Sequence, residues 1–126
     1  ALIIGILAGF VCYHATVFLK QRLKIDDSLD VFPVHGVGGA LGTLLAAVFA
    51  SAGLGVFSGQ GLAEGMTIAS QFQVQLIGVL ASGIYTALVT FILLKLIDRM
   101  LGLRVSQDEE TEGLDLTQHN ERGYDL

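Results

Sequence analysis

The chain has 126 residues, 52% of them hydrophobic and 15% charged, with a mean hydropathy of +0.66. That balance argues against an ordinary soluble domain and for a membrane protein, and the chain's long apolar runs make the expected class all-α. The formal net charge of −5 is uneven: residues 105–126 hold seven carboxylates against Arg122, a net of −6, while the rest of the chain carries +1. The acidity thus belongs to the C-terminal tail and argues against nucleic acid or anionic lipid as partners of that tail. A lone Cys12 excludes an internal disulfide and a cysteine metal framework, and fits a small packing residue.

Residues 1–19 are apolar apart from Tyr13, His14 and Thr16, the length of one membrane-spanning helix. The run opens without an initiator Met or a charged leader, so the expectation is a C-terminal fragment of a longer protein, not a signal peptide. Gly5 and Gly9 leave one helix face without side chains, where a neighbouring helix can approach closely. His14 lies near the basic boundary at Lys20, where it reaches the membrane interface without a functional role.

Lys20, Arg22 and Lys24 make the first connection basic, whereas residues 50–70 contain no Lys or Arg. Positive-inside asymmetry then places residues 20–30 and the C-terminus in the cytoplasm and residues 51–70 outside, in a multi-pass cell-membrane protein.

A second apolar run covers about residues 31–57, and it begins with Val31-Phe32-Pro33-Val34-His35. Histidine inside a span is costly and marks a functional site by default. Pro33 disfavours the helical region at Phe32, so residues 30–34 are expected to be extended, which would carry His35 roughly 15 Å inward to near the midplane. Backbone of that kind is tolerated only against protein or a water-filled cavity. Gly36, Gly38, Gly39 and Gly42 strip one side of the helix to backbone. Glycines for close packing explain the pattern, but they do not explain His35.

A Gly-rich outer loop over residues 58–65 precedes the third apolar run, about residues 72–101, longer than the hydrocarbon core and so expected to tilt or protrude. Lys95 and Arg99 lie near its inner end, where they can snorkel. From Val105 the periodicity stops. The composition of residues 105–126 favours a disordered, solvated tail, while Leu114, Leu116 and Tyr124 are spaced apolar anchors suited to docking.

Two stretches carry a resemblance. Asp26-Asp27-Ser28-Leu29-Asp30-Val31-Phe32-Pro33-Val34-His35-Gly36-Val37-Gly38-Gly39 resembles the signature that precedes and opens the tenth helix of the ammonium transporter family (Amt, Mep and Rh proteins). Residues 112–124, with Gly113, Leu114, Asp115, His119, Glu121 and Tyr124, resemble that family's cytoplasmic tail motif. Asn120 and Gly123 depart from it, where Gly and Ala are more usual, which puts the local turn in question.

The resemblance implies the last three helices of an eleven-helix inverted-repeat fold in residues 1–104, followed by a regulatory tail in residues 105–126. It implies a homotrimer with one narrow apolar pore per subunit and no cofactor. Ammonium sheds its proton, and ammonia passes beside two stacked histidines. His35 matches the second of these, Val31 an apolar lining residue, and Asp30 the cytoplasmic mouth; the first histidine and the outer gate belong to other helices, so this chain alone is an incomplete pore. The tail residues are implied to dock on the cytoplasmic face, with a PII-type signalling protein as partner.

The competing class is a non-transporting sensor or interaction module that acts through the tail. An enzyme is not expected: His14, His35 and His119 lie on different segments without a catalytic carboxylate beside them, so they make neither a metal site nor an active site.

Overall fold

The structure is a computed structural model that describes residues 1–54 and 61–123. The described residues form helices and turns, without strands. Helix α1 (Leu2–Val17) continues into a π-helical turn, Phe18–Arg22, and a second π-helical turn, Phe32–Val37, leads into α2 (Gly38–Phe49). Helix α3 covers Ile68–Leu101, and the short helices α4 (Gln107–Glu112) and α5 (Leu114–His119) follow.

Among the described residues, three segments are long and apolar enough to cross a membrane: Leu2–Arg22, Phe32–Phe49 and Ile68–Leu101. The expected three-span pattern therefore holds, with shifted edges. The π-helical turn lengthens the first span past residue 19. The second stops at Phe49 rather than near residue 57, because Ser51 leaves the helical ladder and both its N–H and its hydroxyl donate to the Val48 carbonyl, at 3.4 and 3.1 Å. Residues 55–57 of the expected span, and 58–60 of the expected loop, lie outside the described residues.

The third span starts four residues earlier than expected. Thr67 and Ser70 exchange side-chain-to-backbone hydrogen bonds of 2.8 and 3.1 Å, a reciprocal cap that satisfies free N–H groups at the start of α3. Its 34 residues make a helix of about 51 Å, well beyond the roughly 30 Å hydrocarbon core. It ends at Gly102, whose φ of +76° is a left-handed conformation that costs glycine little.

Two compact units divide the chain, Ala1–Gly83 and Ile84–Leu126. In the first, α1 packs against α2 and the π-helical turn before it. Leu19, Pro33 and Ala47 are its buried residues among those described. A Cβ added at Gly38 would lie 2.9 Å from Cys12 Sγ, so this glycine lets the two helices close on one another. The packing role expected of the glycines is thus observed at Gly38, whereas Gly5, Gly9, Gly39 and Gly42 face open space.

In the second unit, the part of α3 from Ile84 onward has no buried residue and exposes Ile84, Tyr85 and Phe91 to 64–68%. Leaving such faces in water would forfeit about 25 cal/mol per Å² of apolar surface. Lipid or further protein is their proper surroundings. The tail beyond is helical rather than disordered, which corrects the compositional expectation. Ser106 and Glu109 form a capping box, with Ser106 N–H donating to Glu109 Oε2 at 2.9 Å and Glu109 N–H donating to Ser106 Oγ at 3.3 Å. Local caps supply the order that an acidic segment cannot draw from a core.

Candidate functional site

The stretch around His35 is built from its start. A helix leaves its first N–H groups without partners inside the helix, and here Asp27 takes two of them: Val31 N–H donates to Oδ1 and Phe32 N–H to Oδ2, both at 2.9 Å. Pro33 has no N–H to satisfy, and Val34 N–H returns to the Asp30 carbonyl at 3.0 Å. Every early donor of this helix is thereby matched.

That arrangement overturns the expected extended backbone over residues 30–34. Val31 is helical, with φ −63° and ψ −48°, and Phe32–Val37 forms a π-helical turn. Pro33 sits at the first or second helical position, where its fixed φ suits a helix start. The steric bias it places on Phe32 is outweighed by the Asp27 clamp. Without an extended segment, chain geometry does not carry His35 to the midplane. His35 lies two residues past Pro33, in the first turn of its span, and its side chain is exposed.

Asp30 occupies the corner before this turn at φ +56°, a left-handed conformation that Asp and Asn tolerate better than most side chains. Its Oδ1 is shielded and accepts no directed hydrogen bond, but the Lys20 ammonium from the end of the first span lies 2.7 Å away. The approach is close yet oblique, so the contact is Coulombic. Both side chains keep partial exposure, 39% for Lys20 and 34% for Asp30, and pairs of that kind contribute only about 0–1 kcal/mol to stability. The same two Val31 and Phe32 bonds, led by Phe32, hold the Asp27 carboxyl below its ordinary range.

Asp30, Val31 and His35 thus share one helix start, with Val31 exposed like His35. The other histidines are elsewhere. His14 packs edge-on against Phe10 and Tyr13, with ring centroids 4.4 and 5.4 Å away, on the exposed face of α1. His119 is in the last turn of α5. Among the described residues no three His, Cys, Asp or Glu side chains converge as metal ligands would.

In the tail, Gly113 joins α4 to α5 at φ +109°. Leu114 and Asp115 open α5, and Asn120 closes it in the left-handed region at φ +53°. Asn120 N–H donates to the Leu116 carbonyl at 3.1 Å and Glu121 N–H to the Asp115 carbonyl at 2.9 Å. The turn put in question by Asn120 is therefore intact, since Asn is among the few side chains that tolerate this conformation. Gln118 Nε2 donates to Glu109 Oε1 at 3.3 Å and ties α5 to α4. Tyr124 lies outside the described residues.

Lys20 and Asp27 did not figure among the site residues expected from sequence. Asp27 had a signal, an acidic side chain just ahead of an apolar helical run. Lys20 had none, since nothing local relates it to Asp30.

A family model described as Ammonium Transporter Family matches residues 1–124. Among curated proteins, a "Putative ammonium transporter" of Methanothermobacter thermautotrophicus is 42% identical over 127 residues, covering 100% of this chain and 31% of the relative. "Ammonium transporter Amt1" of Archaeoglobus fulgidus is 41% identical over 124 residues, covering 98% of this chain and 30% of the relative. An "Ammonium transporter" of Bacillus subtilis is 36% identical, with 98% and 30% covered. The chain therefore spans about three tenths of the length of the curated relatives it matches. These relatives are named as transporters and not as enzymes.

Proposed function

This chain belongs to the ammonium transporter family, and from that premise we propose that it forms part of a membrane transporter for ammonium, with His35 beside the conduction path. The observation that carries this reading is the stretch 26–39, which resembles the signature at the start of the family's tenth helix, inside a family match that covers residues 1–124. A histidine in an apolar span, on a helix whose start is clamped by Asp27, supports it further.

A bare cation is expelled from an apolar lumen, so ammonium gives up its proton on entry and crosses as ammonia. The imidazole of His35 donates to or accepts from the passing molecule and, with a second histidine, keeps the lumen polar at one place without adding a fixed charge. Val31 lines the path below it, and Asp30 stands at the inner mouth, where ammonium re-forms. In this proposal the chain supplies the last three spans of an eleven-helix inverted-repeat transporter that assembles as a homotrimer. Residues 20–30 and the tail face the cytoplasm, and Gly113, Leu114, Asp115, His119, Glu121 and Tyr124 dock the tail there and respond to a PII-type protein.

The test is flux per folded oligomer in liposomes, made with the natural protein that carries these residues. His35→Ala removes the donor and acceptor and is expected to cut ammonium flux at least about tenfold, an energetic loss near 1.4 kcal/mol, while assembly persists. His35→Glu introduces an acceptor-only carboxylate when ionised and should weaken discrimination against potassium. Unchanged flux and selectivity in both variants would remove His35 from the path, and absence of ammonium flux in the unaltered protein would favour a sensor.

A further inference from the structure

The Lys20 side chain ends in an ammonium group, and it stands 2.7 Å from a carboxylate oxygen that accepts no directed hydrogen bond. We propose that Lys20 is a tethered ammonium that occupies Asp30 and keeps a free ammonium ion from lodging there. The pairing stands on distances alone; only its consequence for transport rests on the reading of Asp30 as part of the inner mouth.

Three observations support it. The oxygen facing Lys20 is shielded from solvent, so the side-chain cation takes the place that water or an ion would otherwise fill. Asp30 is fixed by its left-handed backbone and by the Val34 N–H on its carbonyl, so its carboxylate is a stationary target. Lys20 lies in the π-helical turn Phe18–Arg22, next to the buried Leu19, which anchors the backbone from which the ammonium reaches. The neighbouring carboxylate, Asp27, is engaged by Val31 and Phe32 N–H groups. Lys20 also acts on Asp27 through its charge, but the carboxylate it contacts is Asp30, at 2.7 Å.

A lysine ammonium and a free ammonium ion carry the same charge, so they compete for one place beside the carboxylate. With Lys20 in position, ammonium formed at this end of the path meets a neutralised mouth and leaves. Without it, Asp30 holds the ion. Lys20 is thus a specificity and release residue that acts through Asp30.

The experiment uses the natural protein in detergent and in oriented liposomes, with ammonium chloride compared against choline chloride at equal ionic strength. Lys20→Met is expected to gain an unfolding midpoint that rises with ammonium, because a ligand that binds only the folded state stabilises it. The unaltered protein and Lys20→Arg should show no such rise. Lys20→Met combined with Asp30→Asn should lose it again, since Asn keeps the left-handed backbone but not the charge. In liposomes, Lys20→Met should lower the half-saturating ammonium concentration about fivefold, close to 1 kcal/mol, only at the face that bears residues 20–30.

Lys20→Gln serves the same comparison if Lys20→Met does not fold. An ammonium-dependent rise already present in the unaltered protein, its absence in both Lys20→Met and Lys20→Gln, or its persistence in the double variant would overturn the proposal. If the unaltered protein carries no ammonium, the transport reading falls, and the midpoint series still decides the pairing.

Discussion

Asp27 serves the helix of His35 in a way that no residue within that helix can. It accepts the Val31 and Phe32 N–H groups with its two oxygens, and only the ionised carboxylate offers both as acceptors. Those bonds hold its pKa below the ordinary value of 3.8, the Phe32 bond contributing most. The sign follows from linkage: a carboxyl with a depressed folded pKa adds stability that is present above its unfolded value and lost as pH falls through the folded one. Asp27→Asn, which offers one acceptor oxygen, is expected to lower the unfolding midpoint at neutral pH. The gap between it and the unaltered protein should close as pH drops below about 3.8. A gap of constant size down to pH 2 would mean that the carboxylate is not what holds the turn.

At the scale of elements, two contacts decide how the helices end and meet. Gly38 admits Cys12 where a Cβ would lie only 2.9 Å from its Sγ, so Gly38→Ala should cost about 1–3 kcal/mol by overpacking. Adding Cys12→Ala should recover most of that loss, because the obstructing sulfur is gone; thermal unfolding of the two single variants and the pair measures it. Asn120 ends α5 at φ +53°, so Asn120→Gly should be tolerated. Asn120→Val should cost about 1–2 kcal/mol, the strain of a left-handed backbone with a branched side chain, read as lost helicity in the tail. Equal stability of the two variants would remove the left-handed cap from the account.

These elements also show what the sequence made legible. Three apolar runs were visible as spans because periodicity and length are local properties, and the likeness of residues 26–39 to a family signature is a local pattern too. The course of the backbone through Pro33 was not, because the expectation weighed the steric bias of proline without the Asp27 oxygens that offset it. The Lys20–Asp30 pair joins the end of one span to the start of the next, and neither periodicity nor spacing signals that closure. The order in the tail was missed for a similar reason: composition reports the lack of a core, whereas α4 and α5 are held by caps at Ser106, Gly113 and Asn120.

For the molecule as a whole, the unfilled requirement is a wall. His35 and Val31 are exposed among the described residues, Gly39 and Gly42 face open space, and α3 has no buried side chain. A conduction path that rejects ions must enclose the passing ammonia in apolar surface and match any polar backbone along it, since unmatched groups in hydrocarbon are costly. In the proposed pore, faces left open to lipid meet acyl chains, which neither position an imidazole nor supply a second one. Residues 1–126 reconstituted alone are therefore expected to give no ammonium flux above empty liposomes, although the helices insert. Flux should return when the chain is joined to the remaining spans of a family member, because those spans close the wall. Saturable flux from the 126-residue chain by itself would place the path within these three helices and require His35 to act without a partner.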